Sequence, residues 1–148
     1  MINRYVQKWA NNEILNDDDG CKIDFLLLFE CRELNSFPNI NSLEDLIRSK
    51  YPHIFDSIDY SDFTADRVMI IVDGLDELEG IYDENNKESS PMTELVKSII
   101  NTKSLNLNGH KTIACGRPNA CEYIKSTLTH LQNMKTIEVC GFDQTKSI

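Results

Sequence analysis

The residues best suited to chemistry follow one apolar run, Val68-Met69-Ile70-Ile71-Val72, which leads directly into Asp73-Gly74-Leu75-Asp76-Glu77. A carboxylate at the end of a buried strand can hold Mg²⁺, a hard cation that takes carboxylate, water and phosphate oxygens. On that chemistry Asp73 is the metal ligand. A second acid nearby can orient or deprotonate an attacking water, and Asp76 and Glu77 both qualify. Gly74 keeps the backbone uncluttered where a phosphate would approach. The plain alternative is that an acid simply follows a strand as a turn or cap residue. That accounts for Asp73 and Gly74, but three acids crowded together repel one another unless a cation relieves them.

These side chains need a scaffold, and the apolar runs at 23–29, 68–72, 112–115 and 136–140 predict four strands. The first two are nearly continuous rather than alternating, as in strands of a parallel sheet covered on both faces. Helical spacing lies between them. Ser42 caps a segment with acids in its first turn that ends near Pro52. Pro91 opens a helix whose apolar positions Met92, Leu95, Val96, Ile99 and Ile100 recur at three- and four-residue steps. Residues 119–128 and 5–10 predict two more helices, the latter reading as the end of a helix whose beginning is absent. Strands alternating with helices predict an α/β domain with a mostly parallel sheet. In such a sheet ligands bind at the C-terminal strand ends, where Asp73 emerges. The polar, acidic stretches 11–20 and 81–90 read as loops within one domain.

The chain has 148 residues, 41% of them hydrophobic, with 15 Lys+Arg against 24 Asp+Glu and a formal net charge of −9. That length is one domain or a piece of one. The acidic balance argues against a nucleic-acid partner, which needs clustered Lys and Arg, and against docking on an anionic membrane. No apolar run approaches the ~20 residues of a membrane helix, and the N-terminus lacks the apolar core of a signal peptide. Five cysteines (Cys21, Cys31, Cys115, Cys121, Cys140) without a C-x-x-C pair fit reduced thiols in the cytoplasm. Asp17-Asp18-Asp19-Gly20 hints at a calcium loop, but that frame places Leu15 and Leu26 at the two end ligands and fails. His53, His110 and His130 lack cysteine or carboxylate neighbours at ligand spacing, and Trp9 reads as a packing residue.

The Asp73–Glu77 segment resembles the Walker B motif of the NACHT family, the nucleotide-binding domain of NLR-type innate immune receptors and other signalling NTPases. That pattern is an apolar strand, Asp, a small residue, an apolar residue, then Asp-Glu. Other stretches agree in the family's order. Residues 25–34, ending Cys31-Arg32-Glu33-Leu34, resemble the strand before Walker B. Cys115-Gly116-Arg117-Pro118 resembles the sensor segment, usually Ser/Thr-Ser-Arg-Pro. Residues 137–142 resemble the last strand and the Gly-Phe that leads into the helical domain, and 5–10 resemble the end of the helix after the phosphate loop.

The resemblance implies a partial P-loop NTPase of three αβα layers over residues 1–148, with strands two to five and the start of a helical domain at about 141–148. The implied sheet order is five-one-four-three-two, with the central first strand missing. It implies ATP and Mg²⁺ as cofactors, Asp73 on the metal, Asp76 or Glu77 on the hydrolytic water, and Arg117 reporting the γ-phosphate; Arg32 carries no assigned role. The phosphate loop G-x-x-x-x-G-K-[ST] occurs nowhere in the 148 residues; Gly109-His110-Lys111-Thr112 lacks the glycine loop and leads into a strand. The intact domain would be a slow Mg²⁺-dependent ATPase that switches self-association or signalling partners with ATP or ADP in the cytoplasm, and this chain alone would be nucleotide-incompetent. Two alternatives stay open: a degenerate, non-catalytic protein-interaction module, and a metal-dependent hydrolase that needs no phosphate loop.

Overall fold

Five consecutive apolar side chains must be covered on both faces of a strand, and Val68 to Val72 are all buried. The computed structural model describes residues 2–13, 22–37, 40–56, 67–82, 90–101, 110–128 and 134–137. Within them β1 (Phe25–Glu30), β2 (Val68–Asp73) and β3 (Lys111–Ala114) form a parallel sheet in the order β1-β2-β3. This is the succession that the family resemblance implies for its second, third and fourth strands. The register pairs Glu30 with Asp73 and Val72 with Ala114, so all three strands end on the same edge of the sheet.

Side chains alternate across the sheet and build a core on each face. On one face Leu27, Phe29, Val68, Ile70 and Val72 pack with α3 (Leu43–Lys50), α5 (Pro91–Ile100) and α6 (Pro118–Thr127). On the other, Ile23, Met69 and Ile71 meet Tyr5, Val6 and Trp9 of α1 (Ile2–Ala10). Helix, sheet and helix thus make three layers, a partial α/β P-loop NTPase fold. Trp9 does more than pack: its indole N–H donates to the Ile23 carbonyl at 3.0 Å.

The helix starts follow their sequence signals. Ser42 Oγ accepts from Asp45 N–H at 3.0 Å and Ser90 Oγ from Thr93 N–H at 3.1 Å, each meeting a donor that the first helical turn leaves free. Two four-residue helices, α2 (Cys31–Leu34) and α4 (Pro52–Phe55), are unexpected, because elements that short carry no readable period. Pro52 therefore opens a turn of helix as well as ending α3. The strand limits also move. β1 starts at Phe25 rather than Ile23, which lies before the ladder under α1. β3 ends at Ala114, although Cys115 still donates to the Val72 carbonyl at 2.8 Å. Of the expected strand 136–140, Thr136 and Ile137 carry no regular structure and are exposed, while residues 138–148, with Cys140, Gly141 and Phe142, lie outside the described residues. So do Cys21, His130 and most of both acidic loops.

The outer edge of β1 is closed by a side chain. The Tyr51 hydroxyl donates to the Leu28 carbonyl at 2.7 Å and accepts from the Leu28 N–H at 3.2 Å, while its ring packs against Phe29. A paired edge does not template a foreign strand. Tyr51→Phe keeps the ring and strands both Leu28 groups. It is expected to lower unfolding stability by about 1–3 kcal/mol in urea titrations; an unchanged midpoint would contradict this role.

Directly after β1, Cys31 is fully buried. Burial first, and then the charges of Asp73, Glu77 and Asp76, push its thiol from 9.0 up to about 12. The folded thiol keeps its proton over a range in which the unfolded chain has released it, so its contribution is complete below about pH 9 and is lost as pH rises toward 12. Unfolding stability should fall across that window, and Cys31→Ala should flatten the fall, read by denaturant titration at a series of alkaline pH values. An identical slope in the variant would refute it.

Candidate functional site

Because β2 is apolar through Val72, the chain becomes polar at Asp73, on the rim where β1 and β3 also end. Gly74 follows with φ +78°, a left-handed conformation that costs an L side chain about 1–2 kcal/mol and glycine nothing. That bend turns the backbone into a single 3₁₀ turn, Leu75–Glu77. Leu75 and Leu78 are buried and anchor the turn to the core, which leaves Asp76 and Glu77 on the rim.

The segment after β3 is fastened to this turn. Leu75 N–H donates to the Cys115 carbonyl at 2.9 Å. At Gly116 an added Cβ would stand 2.9 Å from Leu75 Cβ and 3.1 Å from Leu75 N. Glycine at 116, where the family usually has a hydroxyl residue, is what admits so close an approach. Arg117 then meets Asp76 twice: its backbone N–H donates to Oδ1 at 3.0 Å and its Nε pairs with Oδ2 at 3.1 Å. Asp76 thereby sits at the start of α6, where the helix dipole favours a negative charge.

Glu77 is met from the other side. Arg32 Nη2 reaches Glu77 Oε1 at 2.9 Å. Oε2 lies 3.6 Å from the position a Cβ would take on Gly74, so the carboxylate folds back over the bend. Asn35 completes the tie: its Nδ2 donates to the Glu77 carbonyl at 2.8 Å and its Oδ1 accepts from the Glu79 N–H at 3.0 Å. Crowding among the three acids is therefore relieved in part by two arginines of the chain itself, which their spacing along the sequence does not disclose. Among the described residues, no side chain hydrogen-bonds or ion-pairs with the Asp73 carboxylate.

The four expected site residues thus share one rim, with Asp76 in contact with Arg117. Sequence reasoning missed Arg32, Asn35 and the close approach at Gly116. The first two lie just after β1 and more than 40 positions before Glu77, and the only signal toward them was the place of Arg32 directly after a predicted parallel strand. The acids also act on neighbouring thiols. Cys115 is pushed up by burial and then Asp73, Cys121 by burial and then Asp76.

The donor set suits Mg²⁺ held through one carboxylate. Among the described residues no group of three or more His, Cys, Asp or Glu converges to make a full protein cage. Mg²⁺ does not ask for one, since it keeps several waters and binds through one or two carboxylates plus phosphate oxygens. Asp73, hard, partly exposed and without a side-chain partner among the described residues, fits that role. No helix of the described residues is long and apolar enough to cross a membrane.

The chain is 29% identical over 153 residues to the NACHT, LRR and PYD domains-containing protein 3 of Rattus norvegicus, and 28% over 152 residues to that of Homo sapiens. It is 24% identical over 153 residues to the Homo sapiens NACHT, LRR and PYD domains-containing protein 12. Each alignment takes in 99% of this chain and 14% of the relative, so the chain spans about one seventh of their length. The family model described as NACHT domain matches residues 1–147, and the chain belongs to the NACHT domain family.

Proposed function

We propose that this chain carries the metal-holding, water-orienting and phosphate-sensing side of an ATP-driven switch in a cytoplasmic, innate-immune-type signalling protein. The observation that carries the reading is the meeting of Asp73, Glu77 and Arg117 around one glycine-hinged turn at the C-terminal ends of adjacent parallel strands. In this reading residues 1–148 hold the end of the helix after the phosphate loop, strands two to five, and from about 141 the start of the helical domain. ATP and ADP are the ligands, and nucleotide state biases self-association or a signalling partner.

The residues divide the work. Asp73 would hold Mg²⁺, directly or through water, and the ion, when bound, would neutralise charge on the phosphate oxygens. Glu77 rather than Asp76 orients the attacking water. Both Asp76 oxygens are committed to Arg117, whereas the Glu77 carboxylate uses Oε1 for Arg32 and lies over Gly74. Asp76 ties the sensor segment to the turn. Arg117 uses only its Nε on Asp76, and the rest of its planar fork, in a side chain that is 84% exposed, suits the oxygens of a γ-phosphate.

A phosphate loop supplies the backbone N–H groups that cradle the phosphates, and these 148 residues contain none. The chain by itself is therefore expected to take up ATP weakly or not at all in calorimetric titration with Mg²⁺; a micromolar Kd would overturn this. In a polypeptide carrying this chain together with a phosphate loop, Glu77→Gln should slow ATP turnover by about 100-fold, as loss of a positioned acid or base does, with ATP affinity nearly unchanged. Asp76→Asn should chiefly lower the melting temperature. Equal effects of the two on turnover would refute the division.

A further inference from the structure

We propose that Arg32 and Asn35 are positioning residues that set the carboxylate of Glu77 from the end of the neighbouring strand. The proposal rests on the reading of Glu77 as the water-orienting acid. Its physical basis begins with the sheet register. Glu30 pairs with Asp73, so the residues just after β1 and those just after β2 leave the sheet side by side. Cys31 and Leu34 are fully buried and fix α2 as a rigid turn. From that turn Arg32 and Asn35 project toward the acidic loop, three residues apart and hence on one helical face.

Together they hold Glu77 at two points and the backbone just after it at a third. Arg32 takes one side-chain oxygen at 2.9 Å, while Asn35 takes the Glu77 carbonyl at 2.8 Å and the Glu79 N–H at 3.0 Å. The Asn35 amide matches the donor and acceptor of a peptide group, so it fastens the backbone at the exit of the 3₁₀ turn, where the carbonyls lack a next turn to bond to. Arg32 acts on the other end of the same residue. Its side chain is 82% exposed and its partner 40% exposed, and ion pairs between solvated groups add little stability. What the contact does supply is direction. With Oε1 occupied and the backbone fastened, the Glu77 side chain is held folded over Gly74, its Oε2 facing the bend. Placement of this kind acts on turnover more than on affinity, because a displaced acid still allows nucleotide to bind.

The test uses Arg32→Gln, Arg32→Lys and Asn35→Ala in a polypeptide that carries this chain with a phosphate loop. Two readings are taken: amide hydrogen exchange without nucleotide, and ATP turnover with Mg²⁺. Asn35→Ala and Arg32→Gln should speed exchange at Leu78 and Glu79 by about tenfold and leave the β2 amides protected as in the parent. Both should lower kcat by about tenfold with KM within about twofold, and Arg32→Lys should recover most of the loss. Exchange at the turn equal to the parent in both variants overturns the proposal, as does a rise in KM with kcat intact. A parent that turns over no ATP sinks the water-orienting role of Glu77, whereas the exchange data then still decide whether Arg32 and Asn35 hold it.

Discussion

A strand buried on both faces can place charge only where it leaves the core, and β2 is such a strand. From Val68 to Val72 each side chain is buried, so the first acid stands at Asp73. The parallel ladder with β1 and β3 then fixes which other segments can reach it. Glu30 and Ala114 end beside Asp73 and Val72, and the chain that follows each strand exits on the same rim. Arg32 and Arg117, far apart in sequence, become neighbours of one acidic turn by this register. An antiparallel partner would have sent its following residues to the opposite edge.

Charge at the rim is handled locally. The protein as a whole carries a formal net charge of −9, yet two of the three clustered acids face guanidinium groups. The two pairs differ in kind. Asp76 binds a backbone N–H as well as a side chain, which fixes the start of α6 against the turn. Glu77 is bound through its side chain by Arg32 and through its backbone by Asn35, so its place depends on α2. Neither arginine pairs with the Asp73 carboxylate. The same field of negative charge, added to burial, holds Cys31, Cys115 and Cys121 as neutral thiols. Sulfur at position 115 therefore brings no additional charge to the site.

Two small residues make this rim possible. Gly74 takes a backbone conformation that an L side chain resists, and the turn reverses within three residues. Gly116 leaves room for Leu75 to pack directly on the segment after β3. Between them they bring the segment after β3 against the acidic turn without intervening side chains. The rest of the fold serves as support: Tyr51 pairs the outer backbone groups of β1 at Leu28, and the helices of both layers cover the sheet that carries the three strand ends.

Much of this was legible in the residues alone. Continuous apolar runs at 25–29 and 68–72 could be stable only in a covered parallel sheet, and Ser42 and Pro91 mark helix starts by chemistry that acts within one turn. Such signals are local, so a single chain of letters carries them. The motif order likewise points to the NACHT family. The partners of the acids were not legible. Spacing along the chain left cation relief as the apparent answer to three crowded carboxylates, because repulsion within five residues is visible and attraction from 41 or 45 residues away is not. Only the strand register, a product of tertiary packing, brings Arg32 beside Glu77 and Arg117 beside Asp76 and leaves Asp73 clear.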